Sequence, residues 1–389
     1  MSRPSLELAD IFRQHGESYR NTHAMTLEQL KPMRAIETCR TAALGGHVER
    51  CGHCAHQRIA YNSCRNRHCP KCQNLAREQW LTRRKAELLP VPYYHVVFTL
   101  PPRIAELALQ NKQAIYKILF AASAETLLTI AADPRHLGAR IGFFSILHTW
   151  GQLLMHHPHV HCVVTGGGIS HDQQRWVHCR SSFFLSVRVL SRLFRKLFLA
   201  ALQKAELKFH GQLSHLNDKT QLQLHIAGTR KQDWVVYAKA PFGGPQQAID
   251  YLGRYTHKVA ITNHRLLGET DGEISFSYKD YNSADPQRQR KMTLGADEFI
   301  RRFLLHAIPP GFQRIRHYGL YANRKRESNL KLCRKLLDVS CLDLLPTTTQ
   351  TQQVLSQIVE AAATCPKCKV GKMLRELTLF PIRWPARAP

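Results

Sequence analysis

The pattern of hydrophobic and polar positions predicts alternating helices and strands over most of the chain. Short apolar runs typical of buried strands occur at Tyr94–Leu100, Ile141–Leu147, His159–Val164, Trp234–Tyr237 and Ile274–Tyr278. Longer stretches with apolar residues at helical spacing predict helices at Leu75–Leu89, Ile104–Ala131, Ser186–Phe209, 245–257 and Ala296–His306. This mixture indicates an α+β fold but does not by itself order the strands.

Prolines and a polar segment divide this pattern into three predicted regions. Pro90 and Pro92 end the predicted helix before them, so we place a boundary there between an N-terminal domain, residues 1–90, and a main domain, residues 91–330. Residues 331–389 form a C-terminal tail with a weaker pattern and a polar linker that begins at Pro346.

The chain of 389 residues carries a strong positive charge. Its 55 Lys and Arg residues against 28 Asp and Glu give a net charge of +27, and 44% of the residues are hydrophobic. That hydrophobic share is enough for a packed core and excludes a disordered basic tail. The excess charge indicates a polyanionic partner, of which nucleic acid is the commonest. Its densest segment is Arg301–Arg326, with seven basic residues and no acidic one.

The N-terminus and the cysteines indicate a cytoplasmic protein. No apolar run of about 18 residues predicts a membrane span, and Glu7, Asp10 and Glu17 occupy the region where a signal sequence would lie. Most of the 12 cysteines lie in or beside Cys-x-x-Cys pairs. Metal binding in a reducing compartment explains this spacing better than disulfide bonds.

The N-terminal region contains a candidate zinc module. Two Cys-x-x-Cys pairs each supply two thiolates on a tight turn, which suits a tetrahedral zinc; they are Cys51 with Cys54 and Cys69 with Cys72. Four nearby residues would complete a second zinc site: Cys39, His47, Cys64 and His68. Alternatively, the extra cysteines are core thiols and the histidines face DNA or solvent. The sequence leaves open whether one or two zincs bind, and which ligands share an ion.

The tail contains half of another site. Cys365 and Cys368 form a further Cys-x-x-Cys pair, which Cys333 and Cys341 could complete. The alternative is that this pair binds no metal.

The stretch from His156 to His161 carries candidate chemistry in the main domain. On a strand, the period of two places His159 and His161 on one face and directs Cys162 and Val164 toward the core. Two imidazoles on one face can bind a divalent ion and leave coordination positions open for a substrate oxygen. A pair of histidines is also common in packing and at surfaces, so this motif alone does not decide the function.

A second candidate group lies in the predicted helix 245–257. Tyr251 and Tyr255 are four positions apart, so a helix places both phenols on one face. A tyrosine hydroxyl can attack a phosphodiester and form a covalent phosphotyrosine, and Arg254 could contact a phosphate. The alternative is that both tyrosines are ordinary packing residues.

Together these motifs resemble the rolling-circle transposases of the insertion sequence 91 family, which belong to the HUH (His-hydrophobic-His) nuclease superfamily. The matching segments span roughly residues 30–325 and are Cys39–Cys72, Val96–Pro101, His148–Gln152, His157–His161 with Gly166–Gly168, Tyr251–His257 and Phe312–Gly319. The resemblance implies an HUH-type central antiparallel sheet with flanking helices, preceded by a small zinc-binding domain. It also implies a bacterial, cytoplasmic and nucleoid-associated enzyme.

The resemblance further implies a metal-dependent DNA nickase and strand transferase. His159 and His161 match the metal-binding pair, with magnesium or manganese as the ion, and Tyr251 and Tyr255 match the nucleophiles. In this superfamily a tyrosine attacks single-stranded DNA, leaving a 5′-phosphotyrosine and a free 3′-hydroxyl. Which tyrosine attacks first stays open. A third metal ligand is usual, and the candidates are His148, Gln152, His95 and His257.

The expected partner is single-stranded or hairpin DNA at the element ends and at the target. Candidate phosphate contacts are Arg65, Arg67, Arg254, Arg314 and Arg316, and candidate stacking residues are Phe312, Tyr318 and Tyr321. Two alternatives are a rolling-circle replication initiator and a non-catalytic, zinc-dependent DNA-binding regulator. The zinc module and the lack of a helicase Walker motif in the sequence favour the transposase. The sequence leaves the DNA site and the oligomeric state open.

Overall fold

A computed structural model describes residues 5–85, 87–180, 184–239, 259–280, 288–338 and 363–382, with residues 247, 253 and 285. The described residues form two compact units. The first unit contains the described residues of 1–83, 257–307 and 346–389, and the second contains those of 84–256 and 308–345.

The helices and strands of the described residues are as follows. The helices are α1 Leu8–Thr22, α2 Leu27–Glu37, α3 Gln73–Lys85, α4 Pro102–Gln110, α5 Lys112–Ala132, α6 Val187–Lys204, α7 Lys219–Lys231, α8 Ala296–Leu305 and α9 Arg326–Leu336. The strands are β1 Gly46–Cys51, β2 Gln57–Tyr61, β3 Tyr93–Thr99, β4 Ala139–Arg140, β5 Gly142–Trp150, β6 His156–Thr165, β7 Gly167–Ser170, β8 Trp176–His178, β9 Val236–Lys239, β10 Leu266–Thr270, β11 Glu273–Lys279, β12 Gln289–Gly295, β13 Ile315–Gly319 and β14 Met373–Leu379.

The first unit is assembled from segments that are far apart in the sequence. Its three-stranded antiparallel sheet has the order β14-β1-β2, so the last described strand pairs with the first. A second sheet, β10-β11-β12, packs against α8, and the Phe12 ring of α1 contacts Phe303 of α8 at 5.4 Å between centroids. The backbone N–H of Leu8 donates to Asn263 Oδ1 at 3.2 Å.

This assembly differs from the three consecutive regions 1–90, 91–330 and 331–389 expected from the sequence. Residues 363–382 and 259–307 belong to the same unit as the N-terminal helices. The physical reason is strand pairing: β1 has β2 on one edge, and β14 supplies the hydrogen-bond partner for its other edge, from Gly46↔Leu379 to Cys51↔Met373.

The second unit is built on a five-stranded antiparallel sheet with the order β13-β5-β6-β3-β9. The β6 strand lies at its centre and pairs with β5 through His148↔His159 and with β3 through Val97↔His161. Helices α4 to α6 contribute to the core on one face of this sheet, where Leu119, Phe194 and Val160 are fully buried. The structure therefore confirms the predicted α+β fold with a central antiparallel sheet and flanking helices.

The predicted helix Ile104–Ala131 is two helices, because Asn111 interrupts it. Asn111 has φ −124° and ψ 41°, outside the helical region. Its side chain holds the backbone of Lys208: Nδ2 donates to the Lys208 carbonyl at 2.9 Å, and Oδ1 accepts from the Lys208 N–H at 2.9 Å. The predicted helix 245–257 lies outside the described residues, apart from 247 and 253.

The α5 helix is long and apolar enough to cross a membrane by length and composition. In the structure it packs against α6, and Leu119, Phe120 and Leu127 on it are fully buried in the protein core. These contacts are those of a core helix, since its apolar side chains are already covered by protein.

Candidate metal centres

Three histidines meet on one face of the central sheet of the second unit. His159 and His161 alternate with Val160 along β6, and His148 of β5 lies directly opposite His159. The ligand nitrogens of the three rings lie within 4.8 Å of one another. His148 and His161 are buried, while His159 is half-buried. We call these residues the histidine cluster.

The register of the β5–β6 hairpin produces this meeting. The backbone N–H of Gly151 donates to the Met155 carbonyl at 3.1 Å, and Leu154 turns the chain with φ 60°. On the other face of β6, Val160, Cys162 and Val164 belong to the apolar core, as the period of two predicts. The burial of these residues fixes the histidines on the opposite face.

Two of the three rings have a hydrogen-bond contact at Nδ1, which bears on where each ring carries its proton. His159 Nδ1 lies 2.6 Å from the His157 carbonyl, so Nδ1 carries the proton and the lone pair of the ring lies on Nε2. His161 Nδ1 lies 2.8 Å from His95 Nε2, and the two rings are parallel to within 9°. Burial, with a smaller contribution from Lys239, lowers the pKa of His95 to about 4, so its ring is neutral near pH 7. Neutral imidazoles are the form that binds metal ions.

The other candidates for a third ligand have different positions. His95 contacts His161 and is not a member of the three-ring cluster. Gln152 lies in the turn between β5 and β6, and its role as a ligand stays a prediction. His257 lies outside the described residues, as do Tyr251, Arg254 and Tyr255.

The first unit brings eight cysteines together in two groups of four. The first group is Cys39, Cys64, Cys69 and Cys72, and the second is Cys51, Cys54, Cys365 and Cys368. In the first group, Cys39 Sγ lies 3.5 Å from Cys72 Sγ and 3.7 Å from Cys69 Sγ. Zinc–sulfur bonds of about 2.3 Å in a tetrahedron place sulfurs about 3.8 Å apart, so this group fits a structural zinc.

The cysteine grouping differs from the expectation in three respects. The pair Cys51 and Cys54 does not share a group with Cys69 and Cys72. His47 and His68 are members of neither group; His47 Nε2 lies 2.9 Å from Glu49 Oε1, and His68 Nδ1 lies 3.1 Å from Asn66 Oδ1. The tail pair joins Cys51 and Cys54. Cys333 is instead a buried residue of α9, and Cys341 lies outside the described residues.

The predicted DNA contacts of β13 have side chains on the opposite face from the histidines. Arg316 pairs with Ser145, which in turn pairs with Cys162 of the core face. Its guanidinium lies 4.3 Å from the centroid of the Phe120 ring and 5.2 Å from that of Phe312. Because the Arg316 guanidinium is already stacked within the protein, this position argues against a phosphate contact by Arg316 at the histidine cluster.

The aromatic residues predicted to stack on bases are part of the core. Phe312 is 6% exposed and Tyr321 is fully buried, with its hydroxyl 2.8 Å from the Tyr93 hydroxyl. Tyr318 is half-buried against the ring of Phe143. The expectation that Phe312 and Tyr321 stack on DNA is therefore wrong, because the sheet and helices of the second unit already cover them.

Other residues share the exposed side of the histidine face. The edge strand β9 pairs with β3 through Tyr237↔Val97 and Lys239↔His95, and Val97 also pairs with His161. Tyr237 is 53% exposed, and Lys239 is also exposed. These two residues were not among the candidates from the sequence, because the short strand pattern there gives no indication of its neighbour in the sheet.

Two family models match the chain. One, described as "Transposase zinc-binding domain", matches residues 11–100, and the other, described as "Putative transposase", matches residues 142–329. Two relatives extend this match. The "Putative transposase y4qJ" of Sinorhizobium fredii is 55% identical over 384 residues, which cover 96% of each chain. The transposase for insertion sequence element IS801 of Pseudomonas savastanoi pv. phaseolicola is 30% identical over 76% of this chain and 71% of its own.

The chain belongs to the insertion sequence 91 family of transposases. The first cysteine group lies wholly within the part of this transposase that matches the zinc-binding domain. The histidine cluster lies within the part matched by the second model. The protein is accordingly a DNA transposase with a structural zinc-binding domain.

Among solved structures, this transposase is similar to the conjugative relaxase TrwC in complex with OriT DNA. That match has a TM-score of 0.24 and 14% identity, and it covers 64% of this chain and 72% of the relaxase chain. TrwC complexed with a 27-mer DNA comprising the recognition hairpin and the cleavage site gives a TM-score of 0.22 and 15% identity, over 64% and 74% of the two chains. The family assignment rests on the sequence relatives.

Proposed function

We propose that this transposase nicks and rejoins single-stranded DNA, with His148, His159 and His161 holding the catalytic divalent ion. The observation that carries the proposal is the meeting of three imidazoles on one face of the central strand pair. Three protein ligands leave coordination positions open, as in catalytic metal sites and unlike the closed four-cysteine groups.

The histidine cluster would suit manganese or magnesium, and both ions can also take phosphate oxygens as ligands. Imidazole nitrogens favour the softer of these two ions, so manganese suits the histidine cluster better. When bound, the ion would polarise the scissile phosphate and offset the charge that develops on it. The protein's contribution would be to hold His159 and His161 in tautomers with the lone pair on Nε2, through the contacts of their Nδ1 atoms with the His157 carbonyl and with His95 Nε2.

We propose that Tyr251 and Tyr255 are the nucleophiles. The phenol oxygen of one tyrosine forms a bond to phosphorus, and the bond from phosphorus to the 3′-oxygen breaks. The phenol proton is lost, the 3′-oxygen takes up a proton, and the DNA keeps a 5′-phosphotyrosine. The released 3′-hydroxyl can then attack a second phosphotyrosine, which reverses the same bond changes and rejoins the strands.

We propose that the substrate is single-stranded or hairpin DNA at the element ends and at the target. The net charge of +27 supports a phosphate-rich partner. On the histidine face, Tyr237 offers a ring for base stacking and Lys239 a cation for a phosphate. In the zinc-binding domain, Arg65 is exposed and Arg67 is half-buried, both close in sequence to the first cysteine group. The proposed phosphate contacts are these two residues together with Arg254 and the half-buried Arg314.

A transposase that acts on such DNA would work in the bacterial cytoplasm, at the nucleoid.

A nicking assay with Mn²⁺ tests the proposed function. A labelled single strand that spans an element end is incubated with wild type, His159→Ala, His148→Ala and His178→Ala. We expect wild type and His178→Ala to cut, because His178 is an exposed residue of β8 outside the cluster. The other two variants should lose cutting by a factor of about 10² or more and retain DNA binding. Binding without cutting by wild type would instead favour a non-catalytic regulator.

A further inference from the structure

We propose that Cys51, Cys54, Cys365 and Cys368 bind a second structural zinc, which fastens the C-terminal segment of the chain to the N-terminal domain. The two Cys-x-x-Cys pairs are separated by more than 300 residues, since Cys54 and Cys365 are 311 positions apart. The match to the zinc-binding domain ends at residue 100, so it includes only half of these ligands.

The sulfur positions fit one tetrahedral ion. Cys51 Sγ lies 3.7 Å from Cys368 Sγ, and Cys54 Sγ lies 3.7 Å from Cys365 Sγ. All four sulfurs lie within 4.8 Å of one another. Tetrahedral zinc–sulfur bonds of about 2.3 Å require sulfur separations of about 3.8 Å. A disulfide bond requires about 2.05 Å, so these cysteines are four separate thiol ligands.

The two loops that carry these cysteines are built alike. The N–H of Cys51 donates to the His56 carbonyl at 2.8 Å, and the N–H of Cys365 donates to the Gly371 carbonyl at 2.8 Å. The residue after the second cysteine has a positive φ in both loops, 57° at Ala55 and 58° at Lys369. Each loop therefore turns back sharply behind its cysteine pair and presents both sulfurs on one side.

Backbone N–H groups point at the sulfurs of both loops. Cys51 Sγ accepts from the N–H groups of His53 and Cys54 at 3.4 Å, and Cys368 Sγ accepts from that of Gly371 at 3.3 Å. Hydrogen bonds from N–H groups favour the thiolate over the thiol. The thiolate is the form that binds zinc.

Gly371 allows the two loops to approach each other. A Cβ atom at this position would lie 2.5 Å from Cys51 Sγ and 2.6 Å from His53 Cβ. By contrast, a Cβ at Gly52 in the other loop would have only ordinary contacts, the nearest at 3.5 Å to Leu374. The close approach at Gly371 therefore belongs to the contact between the loop of Cys365 and Cys368 and the loop of Cys51 and Cys54.

The proposed zinc lies at the end of a strand ladder. β1 runs directly into Cys51, and β14 begins five residues after Cys368, at Met373. The Gly52 N–H donates to the Lys372 carbonyl at 3.1 Å, which continues the β1–β14 pairing to the loops. The ion would thus join β1 and β14 at one end of their strand pair. This pairing connects residues more than 300 positions apart, and bringing such distant residues together costs conformational entropy.

Metal content of the full-length protein tests the proposal. We expect C365S/C368S and C51S/C54S each to contain one zinc fewer than wild type, and the fourfold variant to contain no fewer than either, because all four residues serve the same ion. Cys179→Ser, a half-buried cysteine outside both groups, is the control with wild-type zinc content. Retention of all zinc by C365S/C368S, or a greater loss in the fourfold variant, would overturn the proposal.

Two further measurements test the proposal without the cysteine variants, in case those variants fold poorly. In zinc-loaded wild type, Cys365 and Cys368 should resist alkylation together with Cys51 and Cys54, and chelation should expose all four. Rapid alkylation of the tail pair in the loaded protein contradicts the proposal. Gly371→Ala keeps all four thiols and should release one zinc to a chelator about tenfold faster than wild type, whereas Gly52→Ala should release it at the wild-type rate. Equal release by the two glycine variants also contradicts it.

Discussion

His95 Nε2 lies 2.8 Å from Nδ1 of His161, and both rings are buried in the central sheet of the second unit. Because burial lowers the pKa of His95 to about 4, the ring is neutral near pH 7 and can accept the Nδ1 proton of His161. When His161 Nδ1 donates in this contact, the lone pair of His161 lies on Nε2, which is the tautomer that the proposed metal ion would need. In that tautomer of His161, His95 would be a positioning residue for the proposed ion.

We predict that His95→Phe weakens Mn²⁺ binding about 10- to 100-fold, because the ring keeps its volume but loses the hydrogen-bond acceptor. His95→Gln should retain more of the affinity, since its amide oxygen can accept the same proton. Titration followed by the electron paramagnetic resonance signal of free Mn²⁺ measures both variants. The control is His178→Phe on β8. Wild-type Mn²⁺ affinity in His95→Phe would show that the contact has no role in binding the ion.

We predict that Tyr237→Ala weakens the binding of single-stranded DNA, because Tyr237 is exposed on the histidine face. Base stacking on one aromatic ring contributes about 1–3 kcal/mol, so affinity should fall roughly 5- to 150-fold. Leu224→Ala on α7 removes a side chain of similar exposure, 62%, and should leave DNA binding unchanged. Fluorescence anisotropy at fixed salt compares them, and equal affinities for the two variants would exclude stacking on Tyr237.

We predict that Gly319→Ala strongly destabilises the second unit. Gly319 ends β13 with φ 58°, and an added Cβ would lie 1.9 Å from the Ile141 carbonyl oxygen. Gly211 has φ 59° and open space around it, so Gly211→Ala measures the backbone strain alone. Strain at a left-handed position costs about 1–2 kcal/mol, and the steric clash should add about 1–3 kcal/mol. Urea unfolding monitored by circular dichroism gives the difference; equal destabilisation would show that the backbone moves to admit the methyl group.

The strand that carries His159 and His161 could be predicted from the sequence because apolar residues and histidines alternate along it. Val160, Cys162 and Val164 are apolar and lie in the core, so the period of two places the intervening histidines on the other face. The third histidine is different. His148 belongs to a separate strand, and only the register of the hairpin brings it opposite His159.

The grouping of the cysteines could not be predicted because local spacing defines a ligand pair but not its partner. Cys51 and Cys54 could join any other pair on the basis of the sequence, and β-strand pairing across the whole chain selects Cys365 and Cys368. The same limit applies to the aromatic residues near β13. Tyr321 lies in the most basic segment of the sequence, yet its hydroxyl contacts that of Tyr93 inside the core.

Detection of the covalent intermediate is the most direct test of the proposed strand-transfer chemistry. A single strand that spans an element end is labelled at its 3′ terminus, so that a 5′-phosphotyrosine leaves the label on the protein in a denaturing gel. With Mn²⁺, wild type and Tyr61→Phe should form the labelled adduct, whereas Tyr251→Phe/Tyr255→Phe and His159→Ala should form none and bind the strand within about threefold of wild type. Adduct formation at the wild-type level by the double tyrosine variant would contradict the mechanism.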